Sequence, residues 1–154
     1  MYLLTVRLRA LPSRESLRTY SRHLIDHFSH NAENRMDVLH GLITRGIRNK
    51  YLKDLFVQWR GVLAAYDEGL VKGDAVLAAA VWRNLWKGSH VGPDGKELDW
   101  TKIARVVAYM RRVLTELSKV SEADLVSALQ GRTGRDSRIF GYCEADKKLV
   151  DRFR

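Results

Sequence analysis

The run YDEGLVKGDAVLAAAVWRNLW, residues 66–86, decides the fold. It closes one helix, turns, and supplies the whole of the next. Leading into it, Leu52, Leu55, Phe56, Trp59, Leu63, Tyr66 and Leu70 recur at spacings of three and four. That spacing predicts a long helix from about Thr44 to Glu68 with one apolar stripe. Gly69 stands where a C-terminal glycine is expected, and Asp74 where an N-cap belongs, its charge suiting the positive end of the next helix. From Ala75 to Trp82 nearly every side chain is apolar. The helix Asp74 to Trp86 is therefore expected to be buried almost all round, with Leu77, Val81 and Leu85 inaccessible. Ala78 to Ala80 would let neighbouring helices come close.

Upstream, a first helix is predicted over Tyr2 to Leu11, stopped by Pro12. Ser13, with Ser16 as a competitor, caps a second from about Glu15 through His30, continuing with a kink near Asn31 to Asn34 as far as His40. Downstream, GSHVGPDGKEL at 88–98 is turn chemistry around Pro93. Trp100, Ile103, Val107, Met110, Leu114 and Leu117 form a heptad-like seam, predicting a fifth helix from Trp100 to Lys119. Ser121 followed by Asp124 is a partial capping box opening a sixth. After Gln130 the pattern fails: GRTGRDSR predicts an extended or partly disordered tail, on which Ile139, Phe140, Tyr142, Leu149, Val150 and Phe153 could dock sparsely. The expected fold is all-α, a compact helical bundle of five to six helices with an irregular C-terminal tail. Its expected domains are a helical one over 1–130 and a basic tail over 131–154.

The chain has 154 residues, 45% hydrophobic and 29% charged, with a net charge of +9. That is a globular balance, and long enough for one domain with a core. The positive charge suits RNA, an anionic membrane surface or a ribosome, and equally a basic protein of the mitochondrial matrix. A single cysteine, Cys143, excludes an intrachain disulfide and a multi-thiolate zinc site. No apolar run reaches the length of a membrane-spanning helix. The start, MYLLTVRLRALPSR, has no acid before Glu15 and resembles part of a transit peptide. Leu3, Leu4, Val6 and Leu8 read equally as a core helix, which we prefer, expecting an N-terminally shortened chain.

Catalytic signatures are weak. His23, His27 and His30 share one helix face near Asp26, but no His-Glu-x-x-His pattern accompanies them, and half-buried or surface histidines explain them better than a metal or haem site. Asp67, Glu68 and Asp74 have no nucleophile or histidine partner beside them. Arg83, on an otherwise apolar helix, would need a carboxylate, so a structural ion pair with Asp67 or Glu68 is expected. No catalytic, cofactor-binding or metal-binding set is assigned, and an enzyme is not expected. Basic residues collect at Arg35, Arg45, Arg48, Lys50, Lys53 and Arg60, and again from Lys102 to Arg138. No nucleic-acid motif organises them.

The segment Asn49 to Trp86 resembles the signature region of the ubiquinol–cytochrome c chaperone family. Its most specific part is the Tyr-Asp-Glu-Gly end, the short loop, the aspartate and the alanine-rich helix closing in Trp-Arg-Asn. Weaker similarity runs through MYLLTVRLRAL, HLIDHF and IARVVAYMRRVLTELS, so it spans roughly residues 1 to 130 and leaves the tail unmatched. The resemblance implies a non-enzymatic assembly chaperone for complex III, mitochondrial, on the matrix side of the inner membrane. It implies a heterodimer with a small helical partner that receives newly made cytochrome b, with the mitochondrial ribosome and the inner-membrane surface as further contacts and no small-molecule substrate. The alternative is an RNA- or ribosome-binding helical module acting as a translational activator.

A domain of this size is not expected to bury the stripes of its third and fifth helices completely. A hydrophobic groove is therefore expected to involve Phe56, Trp59, Tyr66, Leu114 and Leu117, covered by the partner or by a cytochrome b segment. Arg48, Lys53, Arg105 or Arg112 would stand on its rim. The same residues would serve equally as core, since such interfaces resemble cores.

Overall fold

In a computed structural model that describes residues 1–92, 95–129 and 139–141, the chain is all-α. Six helices follow in order among the described residues: α1 (Tyr2–Arg9), α2 (Arg14–Val38), α3 (Arg45–Lys72), α4 (Asp74–Leu85), α5 (Trp100–Ser118) and α6 (Glu122–Leu129). Among the described residues, strand pairing is limited to one isolated bridge between Val91 and Glu97. The expected tail over 131–154 lies outside the described residues except for 139–141.

Two of the expected caps form. Ser13 accepts the Ser16 N–H at the start of α2 (3.2 Å), and Ser121 accepts the Asp124 N–H at the start of α6 (3.1 Å). Asp99, which the sequence reading passed over, caps α5 by accepting the Thr101 N–H at 2.9 Å and the Thr101 hydroxyl at 2.6 Å. The helix α2 continues through Asn31 to Asn34, where a kink was expected, and ends at Val38 rather than His40.

Two compact units divide the chain, Met1–Ala64 and Ala65–Arg154, with the boundary inside α3. In the first, α1 packs on α2. Tyr2, Leu8 and Leu11 are buried there; of the residues expected to face a core, Leu8 is buried and Leu3, Leu4 and Val6 are half-buried. Neither α2 nor α3 before Tyr66 contains a buried residue.

The second unit is built around α4 against α5. Leu77, Ala80 and Val81 of α4 are completely inaccessible, and Ile103, Val107, Met110, Val113 and Leu117 of α5 are buried opposite. Tyr66, Leu98 and Leu125 complete this core. Two expectations need correction. The helix α4 is not buried all round: Ala75, Ala79, Arg83 and Leu85 are exposed, because it packs on one face only. The α5 seam turns on Val113 rather than Leu114, and Trp100, at its start, is half exposed.

The turn between α3 and α4 also differs from expectation. Gly69 does not end α3, which continues to Lys72. Gly69 is buried, and a Cβ there would lie 2.5 Å from the Leu77 Cα, so its lack of a side chain lets α4 come this close. Gly73 makes the break. Its φ of 110° is open to glycine and strained for other residues, and it stands as the N-cap of α4. Asp74 becomes the first helical residue, and its carboxylate accepts from the Arg111 Nε at 2.8 Å. Arg111 also donates to the Leu70 carbonyl, holding the end of α3 beside the start of α4.

Candidate functional site

In the first unit, apolar residues are organised but not covered. Ile25 and Phe28 lie one turn apart on α2. Leu52, Leu55, Phe56 and Trp59 repeat the three-four spacing on α3. Together with Met1 they line one pocket within this unit. Phe28 is 40% exposed and Phe56 49%, where side chains of this size would be almost inaccessible in a finished core. Ile47, Tyr51 and Val57 of α3 are exposed as well. Contiguous apolar surface costs solvation free energy and marks a place where another molecule binds.

The geometry of this surface is held by a polar clamp. Arg48, mostly buried, donates from Nε to Glu33 Oε1 at 3.2 Å and from Nη1 to the carbonyls of Leu42 and Ile43 at 2.9 and 2.7 Å. Asp37 lies 3.9 Å away on the same guanidinium. Gly41, with φ 62°, turns the chain out of α2, its N–H donating to the Asp37 carbonyl. One arginine thus ties α2, the connection and the first turn of α3 together, work that only a planar, multi-donor fork can do.

The five residues expected in a groove fall in both units. Phe56 and Trp59 line the first unit's pocket. Tyr66 and Leu117 are buried in the second unit's core, and Leu114 is half-buried beside them in sequence. An alternating apolar stripe reads the same whether a neighbour covers it or not, which is why the sequence merged them. Ile25 and Phe28 were missed, although their spacing on a helix starting from Ser13 was available as a signal. Of the expected basic rim, Lys53 and Arg105 are exposed, Arg48 is the clamp, and Arg112 is engaged with residues 139–141.

Arg83 is exposed, so the premise of a buried arginine does not hold. Glu68 instead bonds Lys72 at 2.6 Å. Its carboxyl is held below the usual range, first by that hydrogen bond, then by the Lys72 charge, and more weakly by the charge of Arg83. Burial pushes the Tyr66 hydroxyl up. His23, His27 and His30 are all exposed. Among the described residues no group of three or more His, Cys, Asp or Glu side chains is placed to hold a metal ion, and no helix is long and apolar enough to cross a membrane. Elsewhere, Trp82 stacks at a tilt with His90 and Trp100, at centroid distances of 5.4 and 5.6 Å, fastening the loop before α5 to α4.

Comparison with known proteins adds an independent observation. Residues 1–130 match the family described as ubiquinol-cytochrome C chaperone. Protein CBP3, mitochondrial, of Saccharomyces cerevisiae is 35% identical over 126 residues, 82% of this chain and 36% of that protein. The Drosophila melanogaster protein named ubiquinol-cytochrome c reductase complex assembly factor 1 is 33% identical over 69 residues, 45% of this chain and 24% of its own length. The chain thus spans about a third or less of these curated relatives. No solved structure matches it.

Proposed function

Since the chain belongs to the ubiquinol–cytochrome c chaperone family, we propose that it is a mitochondrial assembly chaperone for complex III, acting by binding rather than by catalysis. Its client is newly made cytochrome b, received together with a small helical partner close to the mitochondrial ribosome, on the matrix side of the inner membrane. The observation that carries this reading is the family match over residues 1–130. The uncovered apolar surface around Phe28, Phe56 and Trp59 supports it physically. A chaperone for a membrane protein must offer apolar surface to a chain that has not yet reached lipid, and a groove between amphipathic helices accepts a helix. Lys53 and the net charge of +9 favour approach to an anionic environment, whether ribosomal RNA or lipid.

The test is affinity purification of the tagged chain from mitochondria, with and without ribonuclease, followed by identification of the captured proteins. Cytochrome b and one small helical protein, retained after ribonuclease, is the expected result. Recovery of ribosomal proteins alone, abolished by ribonuclease, would replace this reading with that of an RNA-binding translational activator.

A further inference from the structure

Beyond the segment that the family match covers, the chain returns to α5. Ile139 and Phe140 are helical and Gly141 follows them. Their three successive carbonyls are each held by a side chain of α5. Arg112 donates from Nη1 to the Ile139 carbonyl at 3.1 Å and from Nη2 to the Gly141 carbonyl at 2.7 Å. The Tyr109 hydroxyl donates to the Phe140 carbonyl at 3.0 Å. Tyr109 and Arg112 are one turn apart on the same face of α5, and the guanidinium lies 5.4 Å from the centre of the Tyr109 ring, which orients the fork.

The chemistry of this contact is that of a helix C-terminus being received. The last carbonyls of a helical turn point one way and lack partners within the turn. They also carry the negative end of the peptide dipoles, which favours a cation. A guanidinium spans two of these carbonyls from two separate nitrogens held in one plane. All three contacts are to backbone atoms, so they read the shape of a turn ending in glycine rather than its side chains. We propose that the Tyr109–Arg112 face of α5 is a docking site for a helical segment that closes in glycine. The site's occupant is the chain's own Ile139–Gly141 segment, so the same segment supplied as a separate peptide enters the site only when the chain's own copy is disrupted. This assignment does not depend on the assembly role.

The 154-residue chain is tested with a fluorescent peptide covering residues 131–145, its Cys143 replaced by serine. In one variant, Ile139→Pro with Phe140→Pro prevents the helical turn and so misaligns the carbonyls. That chain should bind the peptide at least about tenfold more tightly than wild type, whose site is occupied. Adding Arg112→Gln to the proline variant should remove about tenfold or more of the binding, and adding Tyr109→Phe, which deletes only the hydroxyl, a smaller part. Circular dichroism checks that each variant is folded, with Tyr109→Phe as the variant least able to disturb it. Equal binding by wild type and the proline variant, or binding indifferent to both Arg112→Gln and Tyr109→Phe, would overturn the proposal.

Discussion

The two units use the same kinds of residue to opposite ends. In Ala65–Arg154, α4 and α5 press Leu77, Val81, Ile103, Val113 and Leu117 out of contact with water. In Met1–Ala64, α2 has a comparable supply of large apolar side chains and buries none of them. Apolar periodicity therefore specifies a helix face in both units, but only close approach turns that face into a core. The approach in the second unit rests on Gly69, where a Cβ would collide with Leu77, and on the Gly73 break that lets α4 fold back. In the first unit, a clamp centred on one arginine takes the place of a deep core, and the apolar face stays open.

The largest effects belong to the second unit. Leu77→Ala should lower the unfolding free energy by about 2–5 kcal/mol, the range for a buried leucine that leaves a cavity. Gly69→Ala should cost about 1–3 kcal/mol or more, because the two helices must separate to admit the methyl group. Both are read from chemical denaturation. Leu55→Ala, in the half-covered face of the first unit, should cost clearly less than Leu77→Ala; equal costs would break the contrast between the units.

Next comes Arg48→Ala. It removes two bonds to carbonyls and leaves Glu33 without its partner on that guanidinium, which should cost about 1–3 kcal/mol. Hydrogen exchange should show faster opening of residues 33–48, with α5 unchanged. A uniform loss of protection over the whole chain would mean that the two units do not respond separately.

Phe56→Asp should change stability by about 0.5 kcal/mol or less, as substitutions at exposed positions usually do. The same variant should lose capture of the small partner, which the pull-down reads. A severe loss of stability would show that Phe56 is core after all.

The smallest expected effect concerns pH. The Asp99 carboxyl is held below its ordinary value, first by the Thr101 hydroxyl, then by the Thr101 N–H, with Lys102 and Arg105 adding charge. A carboxylate whose pKa is lower in the folded state contributes stability above its unfolded value, and that contribution is lost as the pH falls through the folded value. Asp99→Asn should therefore slightly flatten the acid side of the stability profile and leave the profile near neutrality parallel to that of wild type. A steeper acid limb in the variant would contradict the cap.

Much of the fold could be read from the residues, and the reasons are local. Ser13 before α2 and the Ser121–Asp124 pair before α6 act within four residues, so their sequence is their structure. That Gly73 rather than Gly69 breaks the chain was not legible, because either glycine can end a helix and the choice depends on Leu77 arriving from the next one. The role of Arg48 was hidden for the same reason: its partner Glu33 is 15 positions away, and its other acceptors are carbonyls, which no side-chain pattern reveals. The candidate surface was half legible. Phe56 and Trp59 stood out as large aromatics on a stripe, but nothing in their spacing separated them from Tyr66, which continues the stripe and is buried.

The central claim is that the apolar face of the first unit, rather than exposed apolar residues in general, receives the partner or client. Phe56 and Leu85 allow a matched comparison, being 49% and 59% exposed and lying in different units. Each is replaced in turn by a photo-crosslinking phenylalanine analogue in the full chain within mitochondria, and the crosslinked proteins are identified. A crosslink from position 56 to cytochrome b or to the small helical partner, with none from position 85, is the predicted result. Crosslinks from position 85 with none from position 56 would contradict it.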